Sequence, residues 1–336
     1  MLKSRSGILK LLAYNNSSFV GGQECYLLIL NEMLHVHGVD FSIIGNPKSI
    51  SLNKRLSDCI SNDVLILNGN KALYDLALTK YLNRPSVYIQ HSDINDSQGP
   101  VYKKIIRKIL LYLCLKRVDA VIRVCNKCIP DKYAKGKITT VYNGVELKTE
   151  VPRELSGKLN LLMVGAINEN KNQKLAIEAL VHIKDATLTL VGSGADIESL
   201  KLFAIDLGVS ERVHWAGFQD DPTQYYEQAD LLLMLSKNEA FPFVVLEAMA
   251  QGVPVVAVPV GGVPEAVQHL DNGLLLDGYQ PQQLALAIHK IQQDRALYTT
   301  LSKNSIATIK NKFSLEKMTQ GFLAVVDQVL EKRGVK

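Results

Sequence analysis

The chain has 336 residues, 47% of them apolar and 21% charged, proportions ordinary for a soluble globular protein and too apolar for extended disorder. That length exceeds one compact core and suits two domains. The net charge of +5 conceals an asymmetry: residues 1–150 hold 21 Lys and Arg against 12 Asp and Glu (+9), and the remainder holds 17 against 21 (−4). A basic half points to an anionic partner, or only to scattered solubilising lysines.

At the N-terminus, Lys3, Arg5 and Lys10 accompany an apolar stretch that Lys10 interrupts, so it reads as a first strand and not as a secretory signal. Short β-branched or leucine-rich runs predict strands at 9–14, 41–44, 64–67, 87–89, 120–124 and 139–142, with helices at 24–37 and 102–115 between them. After a polar break at 148–158, which contains Pro152 and Gly157, the pattern resumes. Strands are expected at 159–164, 187–191, 213–215, 231–235, 255–257 and 273–276, and helices at 173–183, 197–207, 244–250 and 282–291. A terminal helix follows at about 313–333. Alternating strand and helix argues for parallel sheets covered on both faces.

All five cysteines (Cys25, Cys59, Cys114, Cys125, Cys128) fall in the first half. An odd number without a secretory signal points to reduced thiols and a cytoplasmic protein. Cys125 and Cys128 form a lone C-x-x-C without a second pair at zinc spacing, so no metal site is expected there. The stretch 103–117, KKIIRKILLYLCLKR, is basic and amphipathic. It suits an anionic membrane surface, or an ordinary half-buried helix with a solvated basic edge. The apolar run 109–115 is far shorter than the ~20 residues a membrane span needs.

Chemistry concentrates in 236–257, SKNEAFPFVVLEAMAQGVPVVA. A strand ends at Leu235, a loop carries Glu239, a helix begins near Phe243, Gly252 ends it and Pro254 opens the next strand. Strand, loop and helix N-terminus form the usual ligand position of an open α/β sheet, and free amides there bind phosphate. Glu247, in the first or second turn, is able to accept from paired hydroxyls, and Glu239 from a sugar hydroxyl. Taken singly, either acid reads equally well as a favourable charge near a helix start. Gly21-Gly22 alone is a simple turn as readily as a phosphate loop, and Gly261-Gly262 a tight turn.

The run Glu239, seven residues, Glu247, then Ala248-Met249-Ala250, Gly252, Pro254 and Val255 resembles the retaining glycosyltransferases of family 4, the glycosyl transferases group 1, which have the GT-B fold. Val20-Gly21-Gly22, Tyr88 to His91, Asp119 to Ile122, Val141 to Val145, Gly165 with Lys171 and Asn172, Gly192 with Gly194, Trp215 to Gly217 and Gly261-Gly262 continue the resemblance in order. It implies an α/β protein of two Rossmann-like domains facing each other across a cleft. Residues 1–150 would form the acceptor side and 151–336, with the terminal helix, the donor side. It also implies a retaining hexosyl- or N-acetylhexosaminyltransferase. The donor would be a nucleotide diphosphate sugar, UDP before GDP. The acceptor would be a lipid-linked saccharide of cell-surface polysaccharide or lipopolysaccharide assembly, met at the inner face of a membrane through 103–117.

Among the residues, the resemblance gives His91 and Glu239 catalytic roles close to the transferred sugar. Gly22, Lys171, Phe241, Pro242, Phe243 and Val244 would hold the donor sugar and diphosphate, and Glu247 the ribose. Charge building on the diphosphate needs a cation and helix amides. No metal or cofactor is expected, and no Asp-x-Asp motif occurs. One departure stands out: Ala166 follows Gly165 where the family often carries Arg. Two other readings remain, a UDP-sugar 2-epimerase of similar fold and a non-catalytic sugar-nucleotide-binding protein. Nucleic acid is not an expected partner, since the basic residues are not interleaved with a stacking motif.

Overall fold

The computed structural model describes residues 3–4, 7–16, 21–45, 62–77, 80–94, 100–155 and 157–335, leaving Val20 and Cys59 outside them. The chain divides into two compact units, residues 1–143 with 315–336, and residues 144–314.

The first unit is built on six strands that pair in parallel: β1 (Lys10–Asn15), β2 (Asp40–Ile44), β3 (Val64–Asn68), β4 (Ser86–Gln90), β5 (Ala120–Arg123) and β6 (Ile138–Thr140). Their order is β2-β1-β3-β4-β5-β6. Strands β3 and β4 are buried at every position, the pattern of a parallel sheet covered on both faces. The strand order reverses between β1 and β3, which opens a crevice at their carboxyl ends. Helices α1 (Gly22–Val36), α2 (Gly69–Ala77) and α3 (Val101–Leu115) follow β1, β3 and β4.

Helix α3 departs from the expected half-buried helix with a basic edge. The core takes Leu111, Cys114 and Leu115, whereas Ile105, Ile106, Ile109 and Leu113 are more than half exposed. Among the described residues, no helix is long and apolar enough to cross a membrane.

The terminal helix, Leu315–Lys332, belongs to the first unit, which corrects its expected place with 151–336. Its buried stripe includes Met318, Phe322, Val325, Val326 and Val329. Gly321 approaches Val141 so closely that a Cβ would stand 3.2 Å from its Cγ1, and Arg333 Nε meets Asp119 Oδ1 at 2.8 Å. An amphipathic stripe specifies burial but does not specify the sheet that provides it. The unit boundary falls between Asn143 and Gly144, not at 150.

The second unit carries β7 (Leu159–Val164), β8 (Ala186–Val191), β9 (Val213–Gly217), β10 (Leu231–Met234), β11 (Val255–Ala257) and β12 (Gly273–Leu275), all paired in parallel. The order β9-β8-β7-β10-β11-β12 is that of a doubly wound sheet, and its switch point lies between β7 and β10. The helices are α4 (Gln173–Leu180), α5 (Ile197–Asp206), α6 (Thr223–Gln228), α7 (Phe243–Ala250), α8 (Val263–Ala266), α9 (Pro281–Gln293) and α10 (Arg295–Lys312). Helix α7 is apolar nearly all round and buried at Phe243, Val245, Leu246 and Ala248 to Ala250, as expected of a helix inside a covered sheet. It ends at Gly252, whose φ is +70°, and the Val253 amide returns to the Ala248 carbonyl at 2.9 Å, a glycine C-cap.

Candidate functional site

The switch point of the second sheet gathers the sequence-predicted acids and cation. The loops after β7 and β10 are laced together: Lys237 N donates to Asn170 O at 2.7 Å and Asn170 Nδ2 to Asn238 O at 3.1 Å. Lys171 from the first loop meets Glu239 from the second, Nζ to Oε1 at 2.6 Å. Both side chains are mostly shielded, 22% and 14% exposed, so their attraction is screened less than at an open surface. Gly261 fixes the loop from behind. Its φ is +54°, and a Cβ there would lie 1.5 Å from Glu239 O. Gly262 N donates to Ala240 O at 2.6 Å.

Phe241 packs on Phe313, with ring centroids 5.3 Å apart, which anchors the approach to α7. Pro242 precedes the helix and Phe243 begins it, so the amides at Phe243 and Val244 belong to a first turn that lacks intrahelical acceptors. Ala166 is exposed on the loop that carries Lys171. A second cation, Lys237, stands on the β10 loop paired with Glu169 at 2.7 Å.

Glu247 lies one turn into α7, half-buried on an otherwise apolar helix. Tyr226 of α6 donates to its Oε2 at 2.6 Å. Burial raises the Glu247 pKa, Tyr226 opposes that rise and Asp221 adds to it. Burial is also the main cause that raises the Tyr226 hydroxyl pKa, so Tyr226 remains a donor. The carboxylate thus has one oxygen braced and further acceptor capacity left. Sequence reasoning missed Tyr226, because nothing in Pro222-Thr223-Gln224-Tyr225-Tyr226 marks the second tyrosine over the first.

In the first unit His91 follows β4, and its Nε2 lies 2.7 Å from Asn68 Oδ1. Asn68 Nδ2 donates to Gln23 O at 3.1 Å and Asn15 Oδ1 at 3.3 Å. That orientation leaves Oδ1 as the acceptor and puts the His91 proton on Nε2. The ring stands edge-on to Tyr26 at 5.1 Å. Burial pushes the imidazole pKa down to about 3, so His91 is neutral with Nδ1 open as an acceptor. Gly22 begins α1, but Glu24 Oε2 already accepts from Gly21 N at 2.9 Å.

The C-x-x-C sulfurs are 2.9 Å apart and buried. The bond to Cys125, then burial, pushes the Cys128 thiol up, away from a reactive thiolate. Among the described residues no cluster of three His, Cys, Asp or Glu is arranged for a metal. A concavity of the second unit, about 770 Å³, lies over Asn160, Thr187, Thr189 and His214 on the sheet face. Its described lining carries no Asp, Glu, Lys or Arg.

Residues 146–308 match the family described as glycosyl transferases group 1. The lipopolysaccharide core biosynthesis glycosyltransferase LpsE of Rhizobium meliloti is 34% identical over 49% of this chain and 49% of its own length. The N-acetyl-alpha-D-glucosaminyl L-malate synthase of Bacillus anthracis is 26% identical over 66% of this chain and 62% of its own length. The chain thus spans about half to three-fifths of the length of these two curated relatives. Among solved structures, Anabaena HepE in complex with UDP superposes on 95% of this chain and 100% of its own, with a TM-score of 0.81 and 22% identity. The sucrose-phosphate synthase of Thermosynechococcus elongatus does so over 96% and 100%, at 0.79 and 21%. The fold is therefore α/β of the GT-B class, and residues 146–308 are similar to the glycosyl transferases group 1 family.

Proposed function

We propose that the chain transfers a sugar, with retention, from a nucleotide diphosphate sugar to a lipid-linked saccharide of cell-surface polysaccharide or lipopolysaccharide assembly. UDP is favoured over GDP, since HepE is described with UDP and with UDP-glucose. The observation that carries the reading is the Lys171–Glu239 pair at a sheet switch point, beside the first turn of a helix that bears Glu247. In this reading Glu247 accepts from the ribose hydroxyls, and Lys171 with the Phe243 and Val244 amides takes the diphosphate. Glu239 holds Lys171 and a sugar hydroxyl, while Phe241 and Pro242 shape the loop. As the bond from anomeric carbon to phosphate breaks, charge grows on the leaving diphosphate, and a fixed cation stabilises it more than it stabilises the ground state. His91, neutral, accepts from a sugar hydroxyl through Nδ1 and is not an acid. Gly22 leaves room for a phosphate at the start of α1. The basic, outward-facing apolar surface of α3 supports peripheral contact with an anionic cytoplasmic membrane face.

The test is turnover of UDP-glucose or UDP-N-acetylglucosamine with a lipid extract as acceptor. Lys171→Ala is expected to lower kcat by more than it raises the donor KM. A pure rise in KM would restrict Lys171 to binding. Formation of an epimer from UDP-N-acetylglucosamine without acceptor would replace transfer with epimerisation.

A further inference from the structure

Two cavities of the first unit share a wall. One, about 280 Å³, opens at His91 and Gly69. The other, about 290 Å³, lies between α2 and α3 and is lined by Tyr74, Asp93, Arg107 and Lys108. Asn70 and Ser92 border both. The wall is held by a buried polar network: the Tyr88 hydroxyl lies against the side-chain amides of Asn70 and Gln90, with one proton to donate, and Gln90 Nε2 donates to Ser92 O at 2.5 Å and Ser92 Oγ at 3.0 Å. Tyr88 and Gln90 are wholly buried. Such groups are costly in a core unless bonded, and bonded they fix a shape.

The second cavity is suited to an anion. Among the described residues, Arg107 offers a planar fork and Lys108 a point charge, beside one lining acid, Asp93. Arg107 stands near enough to Tyr74 to offset part of the rise that burial imposes on its hydroxyl pKa. Hydroxyl and amide donors from Tyr74, Asn70 and Ser92 complete the chemistry that recognises a phosphoryl group. Above it, α3 turns Ile105, Ile106 and Ile109 outward. A polar pocket, a cationic pocket and an apolar helix face thus follow one another.

We propose that the Arg107–Lys108 cavity is a phosphate subsite, occupied by the phosphoryl group of a glycosyl phosphate acceptor whose sugar lies in the adjoining His91 cavity. This rests on the glycosyltransferase reading. The same phosphoryl chemistry is available from a bilayer headgroup, and the experiment separates the two sources. Glucose 1-phosphate is titrated calorimetrically into the full chain saturated with UDP, which removes the donor site from the measurement. Binding is expected in the wild type, weaker for glucose alone. It should fall at least about tenfold in R107Q/K108Q, the scale of lost charge-assisted hydrogen bonds, and stay unchanged in K103Q/K116Q, exposed in the first turn of α3 and just past its end. The titration of UDP itself reports on the donor reading separately, and a wild-type circular dichroism spectrum and melting curve confirm that R107Q/K108Q is folded. The proposal is overturned if glucose 1-phosphate fails to bind the wild type, or if both double variants lose it equally. It is also overturned if R107Q/K108Q weakens binding to phosphatidylglycerol vesicles yet leaves glucose 1-phosphate binding intact, which would assign the cations to a bilayer.

Discussion

His91 and Glu247 are both pushed by burial toward their uncharged forms, with different consequences. Tyr226 restores part of the carboxylate character of Glu247 through a charge-assisted bond. Nothing restores the imidazolium of His91, whose Nε2 is already engaged by Asn68. The unfolded chain takes up a proton at His91 near its ordinary pKa of 6.5, and the folded chain only near about 3. Stability from this residue is therefore full above pH 6.5 and is lost as pH falls toward 3. Urea unfolding at about pH 7 and pH 5 should show a fall in the wild type of up to about 1.4 kcal/mol per pH unit that is smaller in His91→Gln; identical falls would place the proton on His91 in the folded state. At this scale the acids were legible, because their spacing along the chain marks a family. Asn68 and Tyr226 were not, because their partners, His91 and Glu247, come from other elements and no local pattern announces the meeting.

Most elements were legible for a simple reason: a strand buried on both faces is an apolar run. β3 and β10 show this, with VLIL and LLLM at their centres. Helix α2 escaped notice because it opens on Gly69-Asn70, two weak helix formers. Helix α3 was found, but its orientation was not. Two lysines, Lys104 and Lys108, are less exposed than the isoleucines beside them, the reverse of what an amphipathic pattern suggests for a protein surrounded by water. Gly261 was read as a tight turn, and it is more: its bare Cα is what allows the β11–α8 connection to seat the Glu239 loop. Gly261→Ala should cost on the order of 1–3 kcal/mol through its positive φ and the collision with the Glu239 carbonyl. It should weaken UDP binding by calorimetry, while Gly278→Ala, where the added carbon meets nothing nearer than 3.7 Å, should leave it unchanged. Wild-type affinity in Gly261→Ala would detach this turn from the site.

On the scale of the molecule, the two sheets differ in strand order but share one device, a reversal of winding that exposes strand ends. Charge divides unevenly along the chain: the first 150 residues are basic and the remainder acidic. That imbalance is legible from composition, and the proposed function assigns it to an anionic acceptor or surface at the first unit, with the donor held by a few placed groups in the second. The destination of the terminal helix was not legible, since its stripe would suit either sheet. The central claim is that the second unit holds a nucleotide diphosphate through Glu247. Calorimetry of UDP and of its 2′,3′-dideoxy analogue, on wild type and Glu247→Gln, tests it most directly. Glu247→Gln should weaken UDP by about 1–3 kcal/mol, the analogue should bind wild type poorly, and the substitution should add little to that penalty. Equal weakening of UDP and the dideoxy analogue by Glu247→Gln would contradict the assignment.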